Sequence, residues 1–144
     1  MQDNPLLDME GLPPFSRIRP EHIEAAIDHL LRDNRERIEA LLEGMETPTW
    51  TTFVEPLMEL EDRLERAWSP VSHLNSVANS EPWRAAYNAC LPKLSLYASE
   101  LGQHQGLYRA YRAIAEAPEY ATLNHAQRKL IDNALRDFRL SGIE

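Results

Sequence analysis

From Pro20 onward, apolar residues recur at three- and four-residue steps: Ile23, Ile27, Leu30, Leu31, Ile38, Leu41 and Leu42. A helix turns about 100° per residue, so this spacing gathers them on one face. Pro20 suits the first turn, where an N–H has no intrahelical partner, and Glu21 and Glu24 lie near the positive end of the helix dipole. Gly44 supplies a stop. Asp28 with Arg32, and Asp33 with Arg37, stand four apart on the polar side, an order that stabilises a helix by about 0.2–0.5 kcal/mol per pair.

A second stripe follows Thr49, an N-cap candidate: Trp50, Phe53, Val54, Leu57, Leu60, Leu64 and Trp68. Pro56 lies inside it and predicts a kink or a late start. Glu59 with Arg63, and Asp62 with Arg66, repeat the acid-then-base spacing. Ser69-Pro70 predicts a break, followed by another helix or the bent continuation of this one, in which Val71, Leu74 and Val77 resume the helical step. Ser80 then caps a third run with Pro82 in its first turn. Its stripe is Trp83, Ala86, Tyr87, Cys90, Leu91, Leu94, Tyr97, Ala98 and Leu101, and Pro92 should bend it. Gly102 and Gly106 loosen the chain before a short helix carrying Leu107, Tyr108, Tyr111, Ile114 and Ala115, which ends near Pro118. Leu130, Ile131, Ala134, Leu135 and Phe138 mark the last helix, with Asn124 as cap and Ser141-Gly142 as stop.

Period-two alternation bounded by turn dipeptides does not occur, so the fold class is all-α. The pattern predicts a helical bundle-like domain of about five to seven helices, mainly antiparallel, over residues 20–144. An extended N-terminal arm over residues 1–19 precedes it, with Pro5, Pro13 and Pro14 and no sustained period; Leu6, Leu7, Leu12 and Phe15 would pack it down. No linker divides the chain.

Composition narrows the partners. With 144 residues, 43% hydrophobic and 26% charged, the chain can bury a core of its own. Lysine and arginine number 15 against 23 acids, a net charge of −8. Nucleic acid is excluded as a general partner, because neutralising phosphates takes a basic stripe. A membrane is excluded too: no apolar run approaches the roughly 18–20 residues that span a bilayer. The first ten residues hold acids but no lysine or arginine, unlike a secretory signal. A single cysteine, Cys90, forms no internal disulfide and fits a reducing, cytoplasmic location.

Candidate chemistry is sparse. The histidines are His22, His29, His73, His104 and His125. A helical zinc site of the peptidase type needs two imidazoles four residues apart with a glutamate between them, and no His-Glu-x-x-His occurs. His22 and His29 are seven apart, two turns along one helix, and read as surface residues. His104 and His125 have no ligand-type neighbour in sequence. His73 lies among small polar residues at the expected break, where a helix-start or hydrogen-bonding role is the alternative to ligand binding. Cys90 falls on an apolar stripe and reads as core. The acids Glu55, Glu59, Glu61, Asp62 and Glu65 read as a solvated helix face. There is no Gly-x-Ser-x-Gly elbow and no glycine-rich phosphate loop.

Four stretches change this picture. Leu12-Pro-Pro-Phe-Ser-Arg-Ile-Arg-Pro-Glu-His22, Ser69-Pro-Val-Ser-His-Leu-Asn-Ser-Val77, Gly102-Gln-His-Gln-Gly-Leu-Tyr-Arg-Ala-Tyr111 and Leu123-Asn-His-Ala-Gln-Arg-Lys-Leu-Ile-Asp-Asn-Ala-Leu-Arg-Asp-Phe-Arg-Leu-Ser-Gly-Ile143 resemble, in order, the N-terminal part of the thimet oligopeptidase family of zinc metallopeptidases. The resemblance implies a much longer, almost wholly helical parent with a deep channel in which short peptides are cut. It implies zinc held by the two histidines and first glutamate of His-Glu-x-x-His and by a further glutamate, with the glutamate inside the motif activating the metal-bound water. These groups lie downstream in the family, so no catalytic or metal residue is expected in this chain. The expected role is a channel wall and scaffold, inactive alone, whose partners are the catalytic half of the same polypeptide and the parent's short peptide substrates. His73 and Asn75 are candidate channel-facing residues, with helix packing as the alternative. The ending Ser141-Gly-Ile-Glu144 reads as a piece of a longer polypeptide. A domain parted from its catalytic half would expose an apolar docking surface, through which two copies could pair without biological meaning.

Two other classes compete. A stand-alone helical interaction module would bind a partner helix or peptide in an apolar groove. A self-contained metal enzyme would need the five histidines to converge in space.

Overall fold

The computed structural model describes residues 4–7, 18–77 and 80–143. Among these residues there is no strand. The α-helices are α1 (Pro20–Glu43), α2 (Glu55–Val77), α3 (Glu81–Gly102), α4 (Gln105–Glu116) and α5 (His125–Leu140). A π-helical turn at Trp50–Val54 leads into α2, and a 3-10 turn at Pro118–Thr122 joins α4 to α5. The all-α reading holds, with five α-helices among the described residues.

The chain folds as two compact units. The first is Met1–Glu36 with Glu59–Ser95, and the second is Arg37–Met58 with Leu96–Glu144. The divisions fall inside α1, α2 and α3 rather than at a linker.

In the first unit, Ile23, Ala26, Ile27, Leu30 and Leu31 of α1 are buried, as are Leu60, Ala67 and Val71 of α2 and Trp83 and Cys90 of α3. Trp68 stacks on Tyr87 at 5.0 Å, and the Trp83 indole N–H donates to the Val71 carbonyl at 3.3 Å, which ties α2 to α3. Asn34 is fully buried in this apolar setting. Its Nδ2 donates to the Leu60 carbonyl at 3.4 Å, and its Oδ1 accepts from Arg63 Nη2 at 2.9 Å. The same nitrogen donates to Asp33 at 2.6 Å. A buried amide is tolerated when its hydrogen bonds are met, and here they join α1 to α2.

Charge pairing departs from the local spacing. Asp28 receives Lys93 of α3 at 2.7 Å, and Glu24 receives the same ammonium at 2.7 Å. Arg63 turns to Asp33 on α1. Asp62 with Arg66 forms as its spacing predicts, at 3.1 Å. An i,i+4 partner on one exposed helix offers only tenths of a kcal/mol, so a neighbouring helix that brings a cation within reach takes the carboxylate.

At Ser69-Pro70 the chain does not start a separate helix; α2 continues through Pro70 to Val77, and α3 likewise runs through Pro92. Each proline lacks the N–H that would reach the carbonyl four residues earlier, on Arg66 and Asn88. Both of those residues are exposed, so water can take the freed carbonyls, while Ala67, Pro70 and Val71 are buried. Packing on one side and solvation on the other offset the lost rung.

Of the arm expected over residues 1–19, Asn4–Leu7 and Ile18–Arg19 are described. Asn4–Leu7 close a turn, with Leu7 N–H on the Asn4 carbonyl at 2.9 Å, rather than running extended. Asn4 Nδ2 also donates to the His22 carbonyl at 3.0 Å, and Leu6 is buried. Leu12 and Phe15 lie outside the described residues.

The second unit centres on aromatic rings. Thr49 caps the π-helical turn in a reciprocal capping box with Thr52. The turn delivers Phe53 and Val54, both fully buried, to the core, and α2 proper starts late at Glu55, beside Pro56. Phe53 meets Tyr111 edge-to-face at 5.1 Å, and Tyr108 and Tyr111 lie 5.5 Å and 5.9 Å from Phe138. Asn124 caps α5 in a second capping box, with Gln127. Gly142, at φ +96°, closes the end of α5 in the left-handed conformation that a side chain would oppose.

Candidate functional site

The candidate channel residues sit near the C-terminal end of α2. Ser76 Oγ donates to the His73 carbonyl there at 2.9 Å. His73 is exposed and Asn75 half-buried. Two residues apart on a helix is about 200° of rotation, so α2 aims them to different sides. The fold therefore does not bring them together as a pair. Asn75 Oδ1 is buried without a hydrogen-bond partner among the described residues. A buried carbonyl oxygen in that condition is a ready acceptor for a donor that reaches it.

The remaining histidines have local tasks. His22 Nδ1 accepts the Arg19 N–H at 3.0 Å, half of a capping box at the start of α1. His29 lines a cleft with Leu6, Leu7, Leu30, Arg63, Arg66 and Ala67. His104 caps α4, and His125 is the exposed first residue of α5. No group of three or more His, Cys, Asp or Glu side chains that could hold a metal ion occurs among the described residues.

Cys90 is fully buried. Burial, with the nearby acids Glu24 and Asp28 adding, pushes its thiol up to about 11. A thiol held neutral is a small hydrophobe and a poor nucleophile, as its place on the apolar stripe predicts. Glu55, Glu59, Glu61, Asp62 and Glu65 are all exposed along α2, a solvated face. Apolar side chains also reach solvent: Val77 is 64% exposed, Leu96 58% and Leu140 78%. Among the described residues, no helix is long and apolar enough to cross a membrane.

Sequence reasoning missed three polar devices: the Asn34–Arg63–Asp33 network, the Lys93 bridge and the His104 cap. The first two join residues 29 to 69 positions apart, and no local spacing announces them. The third left a trace, since a glycine stands two residues after His104.

Likeness to known proteins gives these helices a class. Residues 27–144 match the family model described as Neurolysin/Thimet oligopeptidase, N-terminal domain. The chain belongs to this family. It is 56% identical over 140 residues to Oligopeptidase A of Haemophilus influenzae, an alignment covering 97% of this chain and 20% of that protein. It is 53% identical to Oligopeptidase A of Escherichia coli, over 97% of this chain and 21% of that protein. It is 33% identical to the Probable cytosolic oligopeptidase A of Arabidopsis thaliana, over 99% of this chain and 20% of that protein. The chain thus spans about a fifth of the length of these relatives.

Proposed function

We propose that this chain is the N-terminal channel-wall and scaffold region of a zinc-dependent metallo-oligopeptidase that cuts short peptides in the cytoplasm. The observation that carries the reading is the 56% identity along 97% of the chain to one fifth of an oligopeptidase A. The described residues offer no fit for zinc: His22 and His104 are engaged in helix starts, and no third ligand joins any pair. The reading assigns zinc to the catalytic half of the same polypeptide, where it would activate a water. This chain's own residues contribute shape. Within each unit the helices are tied together, by the Asn34–Arg63–Asp33 network in the first and by the aromatic core in the second, and stiff wall segments admit a flexible peptide while turning away a folded protein. His73 and Asn75 are the candidates for facing the channel, one of the two since α2 aims them to different sides, and the exposed apolar residues are assigned to docking with the catalytic half. In the separated chain, those same residues would allow a dimer without biological meaning.

The test compares the 144-residue chain with the longer polypeptide on a fluorogenic short peptide, with and without EDTA. The longer polypeptide should cleave and lose its activity to the chelator, and the 144-residue chain should not cleave. EDTA-sensitive hydrolysis by the short chain would overturn the reading. In the longer enzyme, one of His73→Ala and Asn75→Ala should raise KM with little change in kcat; an unchanged KM for both would remove them from the channel.

A further inference from the structure

A cleft opens between α1, α2 and the Asn4–Leu7 turn, all within the first unit. The turn is closed by the Leu7 N–H on the Asn4 carbonyl at 2.9 Å and pinned to α1 by Asn4 Nδ2 on the His22 carbonyl at 3.0 Å. It supplies Leu6 and Leu7 to the lining; α1 supplies His29 and Leu30, and α2 supplies Arg63, Arg66 and Ala67. Arg63 and Arg66 stand three apart, so they share a face of α2. In a chain of net charge −8, this cleft is lined by two arginines and, among the described residues, by no acid. The acids that hold the guanidiniums lie outside the lining. Arg63 Nη2 donates to Asp33 Oδ2 at 2.6 Å and to Asn34 Oδ1 at 2.9 Å, and Arg66 Nε pairs with Asp62 at 3.1 Å. Those bonds take both hydrogens of Arg63 Nη2. Arg63 Nε–H is buried with no partner among the described residues, so this guanidinium has donors left over.

We propose that this cleft binds a monocarboxylate carrying a short branched aliphatic group, with the carboxylate on Arg63 and Arg66 and the aliphatic group against Leu6, Leu7, Leu30 and Ala67. Its volume of about 100 Å³ sets the size of the occupant. A dry cavity of about 150 Å³ holds benzene, so this one takes about four carbon atoms, an isobutyl group. The carboxylate then sits at the mouth, where the Arg66 side chain is 59% exposed. A planar carboxylate matches the guanidinium fork. A single charge suits the site better than two. Asp33 and Asp62 already offset part of each arginine's charge, so a dianion such as phosphate would meet their repulsion, whereas one carboxylate needs only the donors left over. Two sources share this chemistry: a free branched-chain acid, and the C-terminus of a peptide that ends in leucine. The cleft is built wholly of residues of this chain, so it stands or falls apart from the channel-wall role.

The test titrates isovalerate into the isotope-labelled 144-residue chain at neutral pH and fixed ionic strength. Magnetic-resonance signals of Leu30, Arg63, Arg66 and Ala67 should shift together and saturate, with a Kd of about 1 mM for so small a ligand. Isovaleramide, which keeps the shape without the charge, should bind at least about tenfold more weakly. Acetate, which keeps the charge without the branch, should lose a similar factor. Arg66→Gln removes one guanidinium at an exposed position and leaves the Asn34–Arg63–Asp33 network in place. It should weaken isovalerate about tenfold while the thermal midpoint moves by no more than about 2 °C. N-acetyl-leucine that binds as tightly as isovalerate or tighter assigns the peptide C-terminus, and weaker binding assigns the free acid. No saturable shift at these residues, equal binding of isovaleramide, or an unchanged affinity in Arg66→Gln would each overturn the proposal.

Discussion

Truncating Phe53 to alanine probes the junction on which the second unit rests. The ring is fully buried at the end of the π-helical turn and meets Tyr111 at 5.1 Å with an interplanar angle of 80°. Removing a buried phenylalanine ring costs about 3–5 kcal/mol in lost transfer energy and residual cavity. The edge-to-face contact accounts for about 0.5–1.5 kcal/mol of such a loss. A domain of this size is stable by about 5–15 kcal/mol in all, so the variant should stay folded at low temperature but lose much of its margin. At about 2–4 °C per kcal/mol, its thermal midpoint should drop by about 10 °C. Urea unfolding followed by far-ultraviolet circular dichroism measures the cost, and the near-ultraviolet signal reports whether Tyr111 loses its fixed environment. Phe53→Leu serves as the control, since it keeps most of the apolar volume and should cost about 1–2 kcal/mol. If Phe53→Ala falls within about 1 kcal/mol of the parent chain, the cavity reasoning fails and the turn is not an anchor of this core.

Two further predictions concern ionisation in the first unit. Lys93→Met should cost no more than about 1 kcal/mol at neutral pH, because the ammonium is a third exposed and its ion pairs are screened. Hydrogen bonds that it donates to Asp28 and Glu24 hold the Lys93 ammonium above the usual lysine range. Its contribution is therefore full below the unfolded-state lysine value and fades as pH rises beyond it, and the methionine variant should flatten that alkaline decline in urea titrations. Cys90 should react with a thiol reagent at about pH 8 at least about a hundredfold more slowly in the folded chain than in urea, since a thiol pushed up to about 11 offers almost no thiolate there. Equal rates in both states would place Cys90 outside the core.

The helices and most of their ends were legible because their signals are local. Thr49, Ser80 and Asn124 each accept a bond from an N–H three residues on, and a reader of spacing can see all three. The stripe of α1 predicted its buried face through Ile38. Prolines misled at position 70, where the energy of a helix interior depends on what packs beside it and which carbonyl is freed. Spacing also put Asp28 with Arg32, while the fold gave it to Lys93, 65 positions away. His104 read as a histidine without neighbours because its partner Glu39 is 65 positions distant as well. For His73 and Asn75, the resemblance supplied the idea of a channel, but helical geometry sends the two side chains to different sides. A residue's position in a motif does not carry its direction.

The prolines that α2 and α3 absorb have a second effect, on the chain before it folds. Ten of the 144 residues are proline. Each holds φ near −65° in the denatured ensemble as well as in the native one, so less backbone freedom remains to be surrendered. At positions 70 and 92 that angle already matches a helix. The missing ladder bonds weaken the two rods, and a stiffer coil narrows the gap from the other end of the equilibrium.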